Sequence, residues 1–308
     1  MDNMITSIDL SKSYGDVEAV SSLNLSVRQG EIYGFLGLNG AGKTTTIRML
    51  LGMIKPDSGK AFIKNQLVHA NNTELWKQIG YLVEIPYSYP NLTVRENLEM
   101  IRLLRKVEDK KAVDRIIDQL ELNSFANRKA KNLSLGNKQR LGLAKALIHQ
   151  PSILLLDEPS NGLDPAGIYG IREMLTNMAK NQGVTILISS HILGEISKFA
   201  SRIGIIHQGK LIEEINSEQL ELLTNKRLVI QCSNQDLALH LLQKNGITNC
   251  TLNNKHIEIY HASAIEQPDW IATLLVNSDC APSLLKVEEE DLESYFLRTI
   301  KEKGAQSC

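Results

Sequence analysis

Residues Gly37-Leu38-Asn39-Gly40-Ala41-Gly42-Lys43-Thr44 fit the pattern G-x-x-x-x-G-K-[ST] in full, and they stand between two recognisable elements. Glu31-Ile32-Tyr33-Gly34-Phe35-Leu36 reads as a buried strand, and Thr45-Thr46-Ile47-Arg48-Met49-Leu50 opens a helix. Strand, glycine-rich turn and helix N-terminus in that order imply an α/β fold with a phosphate cradle at the end of a strand. The glycines let backbone N–H groups turn toward phosphate oxygens, at a helix end already biased toward anions. Lys43 adds a point charge for the β- and γ-phosphates, and the Thr44 hydroxyl can ligate Mg²⁺. Asn39, Gly40, Ala41 and Thr45 complete the loop around the phosphates. A glycine-rich turn that bound nothing would need neither the lysine nor the threonine.

A second element depends on the first. Ile153-Leu154-Leu155-Leu156-Asp157-Glu158 is an apolar strand ending in two carboxylates. Asp157 stands where it can hold Mg²⁺, directly or through water. Glu158 can polarise a water for attack on the γ-phosphate. Alone, such a pair is usually a capped turn; beside a complete phosphate loop it reads as chemistry.

Around these motifs, Leu23, Leu25 and Val27 alternate with polar residues as a half-buried strand does. With the run at residues 31–36 they suggest two antiparallel strands, hence a mixed sheet. Continuous apolar runs at 152–157 and 184–188, with helical patterns between, read as central strands covered on both faces. Thr93 and Glu96 form a capping box, and Asp164 before Pro165 is an N-cap. From about residue 225 the style changes to short strands (228–230, 251–252, 256–260) with helical stretches between. At 308 residues two domains are expected, 1–222 and 223–308. Thirty-four basic against thirty-five acidic residues give no bulk footprint for nucleic acid. Cys232, Cys250, Cys280 and Cys308 match no metal or redox spacing and read as idle or buried thiols. No apolar run reaches the length of a membrane span, and Met1-Asp2-Asn3-Met4 lacks the regions of a signal peptide. A cytoplasmic protein, at the membrane only through a partner, is the expectation.

Leu133-Ser134-Leu135-Gly136-Asn137-Lys138-Gln139-Arg140, between the two nucleotide motifs, resembles the signature of ABC ATPases. Leu135 and Asn137 depart from the common Leu-Ser-Gly-Gly-Gln, whereas Ser134 and Gly136 are kept. Tyr14 is similar to the aromatic that stacks on adenine, Ser160-Asn161-Gly162-Leu163-Asp164 resembles the D-loop, and His191 resembles the switch histidine that senses the γ-phosphate. The resemblance covers about residues 4–220. It implies a P-loop NTPase fold of ABC type, with a mixed-sheet core, an antiparallel β subdomain and an α-helical subdomain, followed here by a small α/β domain. It also implies ATP and Mg²⁺ as cofactors, Glu158, His191 and Lys43 around the reaction, and Ser134 and Gly136 acting across a homodimer that sandwiches ATP. The partner implied is a separate integral membrane permease, which places the chain at the inner face of the cell membrane.

Where the family usually has Gln, this chain has Glu84, at the end of Ile79-Gly80-Tyr81-Leu82-Val83. Glu84, then Ile85-Pro86 and Asn91-Leu92-Thr93, with the Ser134-Leu135-Gly136 signature and the tail Glu290-Asp291-Leu292-Glu293-Ser294-Tyr295-Phe296-Leu297, resembles the ATPases of bacitracin-type and lantibiotic self-protection exporters. Glu84 is then a candidate ligand to Mg²⁺ or nucleotide. The rival expectation is an ABC-type ATPase that remodels nucleic acid or ribosomes. Such chains usually carry tandem cassettes or coiled-coil insertions, which are missing here.

Overall fold

A computed structural model describes residues 2–84, 87–253 and 256–304. In chain order the first elements are β1 (Asn3–Tyr14), β2 (Val17–Arg28), β3 (Ile32–Leu36), α1 (Lys43–Leu50), β4 (Ser58–Ile63), β5 (Gln66–Leu67), α2 (Thr73–Trp76) and β6 (Ile79–Leu82). Three helices follow, α3 (Val94–Leu104), α4 (Ala112–Gln119) and α5 (Leu135–Leu147). Then come β7 (Ile153–Asp157), α6 (Pro165–Gln182), β8 (Thr185–Ser190), α7 (Leu193–Ile196), β9 (Arg202–His207) and β10 (Lys210–Asn216).

The central sheet has the order β10-β9-β3-β8-β7-β6. Strands β9, β3, β8, β7 and β6 run parallel, and β10 is an antiparallel edge strand. Every residue of β3, β7 and β8 is buried, which is why these strands read as unbroken apolar runs. A second, antiparallel sheet has the order β2-β1-β4-β5. The sequence suggested that β2 pairs with β3; instead β2 pairs with β1, and β3 lies between β8 and β9. Alternation in β2 sets one face toward the core, whereas β3 needs cover on both faces and so belongs to the other sheet. The two sheets share one core, in which Ile5, Leu10 and Val20 pack with Phe35, Leu155 and Leu187 and with Ile47 and Leu50 of α1.

Helices α3, α4 and α5 form the expected helical region. The Thr93–Glu96 capping box is complete and starts α3, and Asp164 caps α6 through the Gly167 N–H with Pro165 in the first turn.

The chain divides into two compact units, residues 1–218 with 300–308, and Gln219–Thr299. The division falls a few residues before the expected 222/223, because α8 (Leu220–Leu223) groups with the second unit, and the end of the last helix groups with the first. The second unit runs β11 (Lys226–Cys232), α9 (Gln235–Lys244), β12 (Cys250–Asn253), β13 (His256–Ile259), α10 (Ala262–Glu266), α11 (Pro268–Val276), β14 (Pro282–Glu289) and the start of α12 (Leu292–Gly304). Its sheet order, β12-β13-β11-β14 with antiparallel neighbours, is the ferredoxin-like β-α-β-β-α-β arrangement. Leu228, Ile230, Ile257 and Ile259 pack there against Leu242, Ile271 and Leu275. Cys232 and Cys280 are buried in this core and Cys250 is half-buried; Cys308 lies outside the described residues.

Candidate functional site

The loops after β3, β7 and β8 leave the same edge of the central sheet, the carboxyl ends of parallel strands where α/β folds place ligands. The loop after β3 is the phosphate cradle. Gly42 caps α1 with φ +107°, and a Cβ there would stand 2.4 Å from the Ala19 carbonyl oxygen, so only glycine closes this turn. The first turn of α1 contains no acidic residue of its own that would repel an anion at this helix end. Lys43 is 6% exposed and its Nζ donates to the carbonyl oxygens of Gly37 (2.6 Å) and Leu38 (3.3 Å). The side chain therefore arches back over the loop that carries Asn39, Gly40 and Ala41.

The loop after β7 supplies the carboxylates. Thr44 Oγ1 donates to Asp157 Oδ2 (2.7 Å), and Ser189 Oγ donates to Asp157 Oδ1 (2.6 Å). Asp157 is buried, and the hydroxyl–carboxylate pair it forms with Thr44 is the oxygen donor set a hard cation takes. Thr45 follows in the first turn of α1, half-buried. Glu158 adopts φ +49°, an unfavourable backbone region for a residue with a Cβ. The turn is held by its N–H donating to Ser189 Oγ (3.0 Å) and by Gln139 Nε2 donating to its carbonyl (3.2 Å). Its side chain is thereby clamped between Lys43 Nζ, 3.2 Å from Oε1, and His191 Nδ1, 2.8 Å from Oε2. The Lys43 contact is an ion pair not aligned as a hydrogen bond, so Oε1 is a buried acceptor with no hydrogen bond among the described residues. An acceptor left open in this way is what a water-activating base requires.

Lys43, Thr44, Asp157, Glu158 and His191 thus meet in one cluster. Ser189 and Gln139 join it and were not singled out from the sequence. The signal for Ser189 was two serines ending an otherwise apolar strand. Gln139 is 3% exposed in a helix whose pattern looked merely amphipathic.

The other candidates lie around this cluster. Tyr14 ends β1 with its ring half exposed, and Lys12 Nζ lies 5.6 Å from the ring centre. The β1–β2 hairpin that bears Tyr14 reaches the cradle through Ala19. Ser134 caps α5 by accepting from the Asn137 N–H (3.3 Å). A Cβ on Gly136 would stand 2.9 Å from the Gly162 carbonyl oxygen, so the signature and the D-loop are packed backbone to backbone. No hydrogen bond joins Ser134 or Gly136 to the phosphate loop among the described residues. Glu84 is exposed with φ +56°, and its Oε1 is 2.6 Å from the Arg48 guanidinium of α1. Ile85 and Pro86, which follow it, lie outside the described residues.

The ABC transporter family profile matches residues 20–161. Over 97% of its length the chain is 42% identical to the bacitracin transport ATP-binding protein BcrA of Bacillus licheniformis, covering 98% of that protein. The chain belongs to the ABC transporter ATP-binding proteins. It is 37% identical over 72% of its length to the lantibiotic transport ATP-binding protein SrtF of Streptococcus pyogenes, covering 96% of it. A dimeric ATP-binding cassette in a post-hydrolysis state, bound to ADP and phosphate, superposes with a TM-score of 0.65 at 27% identity, covering 70% of this chain and 99% of that one. This ABC ATP-binding protein is accordingly an ATPase subunit of an ABC transporter. Reading it as a remodeller of nucleic acid or ribosomes is not favoured. No helix is long and apolar enough to cross a membrane among the described residues.

Proposed function

We propose that this ATPase drives the export of a peptide antibiotic, of the bacitracin or lantibiotic class, through its permease and so protects the cell that makes or meets it. The observation that carries the reading is the match to the bacitracin transport protein across both units, at 42% identity. In the reaction, the N–H groups of residues 37–42 and Lys43 bind the triphosphate, and Tyr14 stacks on the base. Thr44 and Asp157 would hold Mg²⁺, which supplies charge neutralisation on the β- and γ-phosphates when bound. Glu84, paired with Arg48 of α1, is a further candidate for that role. Glu158 orients the attacking water and takes its proton through Oε1. His191 holds Glu158 Oε2 and faces the γ-phosphate, and Lys43 stabilises charge developing on the phosphoryl oxygens. Ser134 and Gly136 meet the nucleotide of a second copy, so the working form is a homodimer closed by ATP and reopened by hydrolysis. It sits at the inner face of the cell membrane through the permease, and the segment at residues 84–96 carries the motion to it. The second unit is an accessory domain without chemistry of its own.

The test is resistance. A sensitive strain carrying this chain with its permease should tolerate more bacitracin or lantibiotic than one carrying Glu158→Gln. Equal tolerance in both strains, with the permease present in the membrane, removes the export reading.

A further inference from the structure

The last two residues of β8 are both serines, and successive side chains of a strand leave opposite faces. Ser190 turns to its own loop, where its Oγ accepts from the Ile192 N–H (3.0 Å). Ser189 stands in register with Asp157 of β7 and is wholly buried. Its hydroxyl makes two bonds at once: it donates to Asp157 Oδ1 (2.6 Å) and accepts from the Glu158 N–H (3.0 Å). Bridging a carboxylate and the next N–H takes a short group that donates and accepts through one atom. A hydroxyl does this; the apolar side chains of Ile186, Leu187 and Ile188, which precede it in β8, do not.

Each bond constrains a different neighbour. Asp157 is buried, and its other oxygen, Oδ2, accepts from Thr44 Oγ1 (2.7 Å). With one donor on each oxygen the rotation of the carboxylate is set. Oδ1 is kept with Ser189 by a short charge-assisted bond, and Oδ2 is presented beside Thr44. Glu158, at φ +49°, occupies a backbone region that a residue with a Cβ keeps only where its surroundings hold it. Ser189 holds the N–H of that residue, and Gln139 of α5 holds its carbonyl (3.2 Å). The two holds fix the direction in which the Glu158 side chain leaves toward Lys43 and His191.

We propose that Ser189 is a positioning residue of the ATPase reaction, which keeps Asp157 Oδ2 as the oxygen offered to Mg²⁺ beside Thr44 and sets the turn from which Glu158 acts. The inference rests on the roles given above to Asp157 and Glu158, and it adds a preference among cations. Mg²⁺ takes few carboxylate oxygens in near-octahedral geometry, whereas Ca²⁺ readily takes both oxygens of one carboxylate. A carboxylate with one oxygen engaged by Ser189 suits Mg²⁺ and resists the two-oxygen grip.

Ser189→Ala removes the hydroxyl and little volume, and it is tested in the purified full chain. Its kcat for ATP hydrolysis in Mg²⁺ should fall about 10–10²-fold, because a small misplacement of a reacting group costs about that much. KM for ATP should stay within about twofold, since the phosphate loop is untouched. Binding gives a readout apart from hydrolysis. Titration of a fluorescent ATP analogue in Mg²⁺ and in Ca²⁺ should show the ratio of the two affinities shifted toward Ca²⁺ by at least about threefold. Ser189→Thr keeps the hydroxyl and should restore both the rate and the metal preference, which a residue that merely fills space would not require. An unchanged kcat in Ser189→Ala, an unchanged metal ratio, or a loss of both that Ser189→Thr shares overturns the inference. Glu158→Gln, measured alongside, separates it from the reading beneath. Slow hydrolysis by Glu158→Gln with normal hydrolysis by Ser189→Ala removes only the role of Ser189. Normal hydrolysis by Glu158→Gln removes the base, and this inference with it.

Discussion

Each of the two units holds a glutamate with little solvent exposure, and the two are held in opposite ways. In the second unit, Glu258 is 8% exposed and fully engaged: Tyr260 Oη donates to Oε2 (2.8 Å), Asn253 Nδ2 donates to Oε1 (3.1 Å), and Arg227 lies 3.2 Å away. Its strand is regular, with Glu258 opposite Val229 of β11. In the first unit, Glu158 stands on a turn at φ +49° and keeps a buried oxygen without a hydrogen bond among the described residues. A structural carboxylate is closed by partners until nothing remains to react. A chemical one is held firmly and left incomplete, at some cost in local stability.

That contrast can be broken from either side, and the largest effect is expected at the phosphate loop. Lys43→Ala should abolish hydrolysis and transport while the chain stays folded, since the side chain bonds only to its own loop and to Glu158. Near-normal hydrolysis by the purified variant would falsify the assignment. Glu158→Gln should slow hydrolysis by about 10²–10⁴-fold and still bind ATP. Size-exclusion chromatography in ATP should then show a dimer that the unaltered chain forms only in passing. A variant that remains monomeric in ATP removes Glu158 as the base.

Glu258→Ala should do the reverse. Hydrolysis per folded molecule should be retained, while unfolding of the second unit becomes easier by about 1–3 kcal/mol, because Tyr260, Asn253 and Arg227 lose their acceptor. Calorimetry and a steady-state rate on the same sample decide this, and a lost rate with unchanged unfolding would erase the distinction between the two glutamates. A chain ended after residue 218 sharpens the same point and should still bind nucleotide; a folded truncation unable to bind it would give the second unit a direct part in the site.

A smaller effect concerns acid. His149 Nε2 donates to the Ile79 carbonyl (3.1 Å), and burial, with Arg105 nearby, pushes its pKa down to about 4. The unfolded chain then takes up a proton below about pH 6.5 that the folded chain refuses until about pH 4. Stability of the first unit should fall as the pH drops through that window, and His149→Asn should flatten the slope. Identical acid unfolding of both proteins would contradict the burial of this ring.

The smallest effect is expected at Glu84, whose exposed pair with Arg48 is worth at most about 1 kcal/mol. Glu84→Gln should retain hydrolysis and reduce the Mg²⁺ dependence of nucleotide affinity. Glu84→Ala should impair transport more than ATP binding. Titration of a fluorescent ATP analogue with and without Mg²⁺ checks the first point. Unchanged metal dependence in both variants, with unchanged resistance, leaves Glu84 a surface residue.

Much of this was legible in the chain itself, because the informative signals are local. The spacing of Gly37, Gly42, Lys43 and Thr44 defines a turn whose chemistry is written in eight consecutive residues. The capping box at Thr93 and the N-cap at Asp164 act over three residues, and the apolar runs of β3, β7 and β8 report burial on both faces directly. What only the tertiary structure decided is long-range. The partner of β2 is β1 rather than β3, since alternation fixes which face is buried and not which strand lies alongside. Ser189 bridges Asp157 and the Glu158 backbone from a strand thirty-two positions further on, and no pattern within β8 announces that pairing. The open oxygen of Glu158 is likewise a fact about a partner absent among the described residues. A sequence lists the charges a chain carries, but only packing determines which of them find one another.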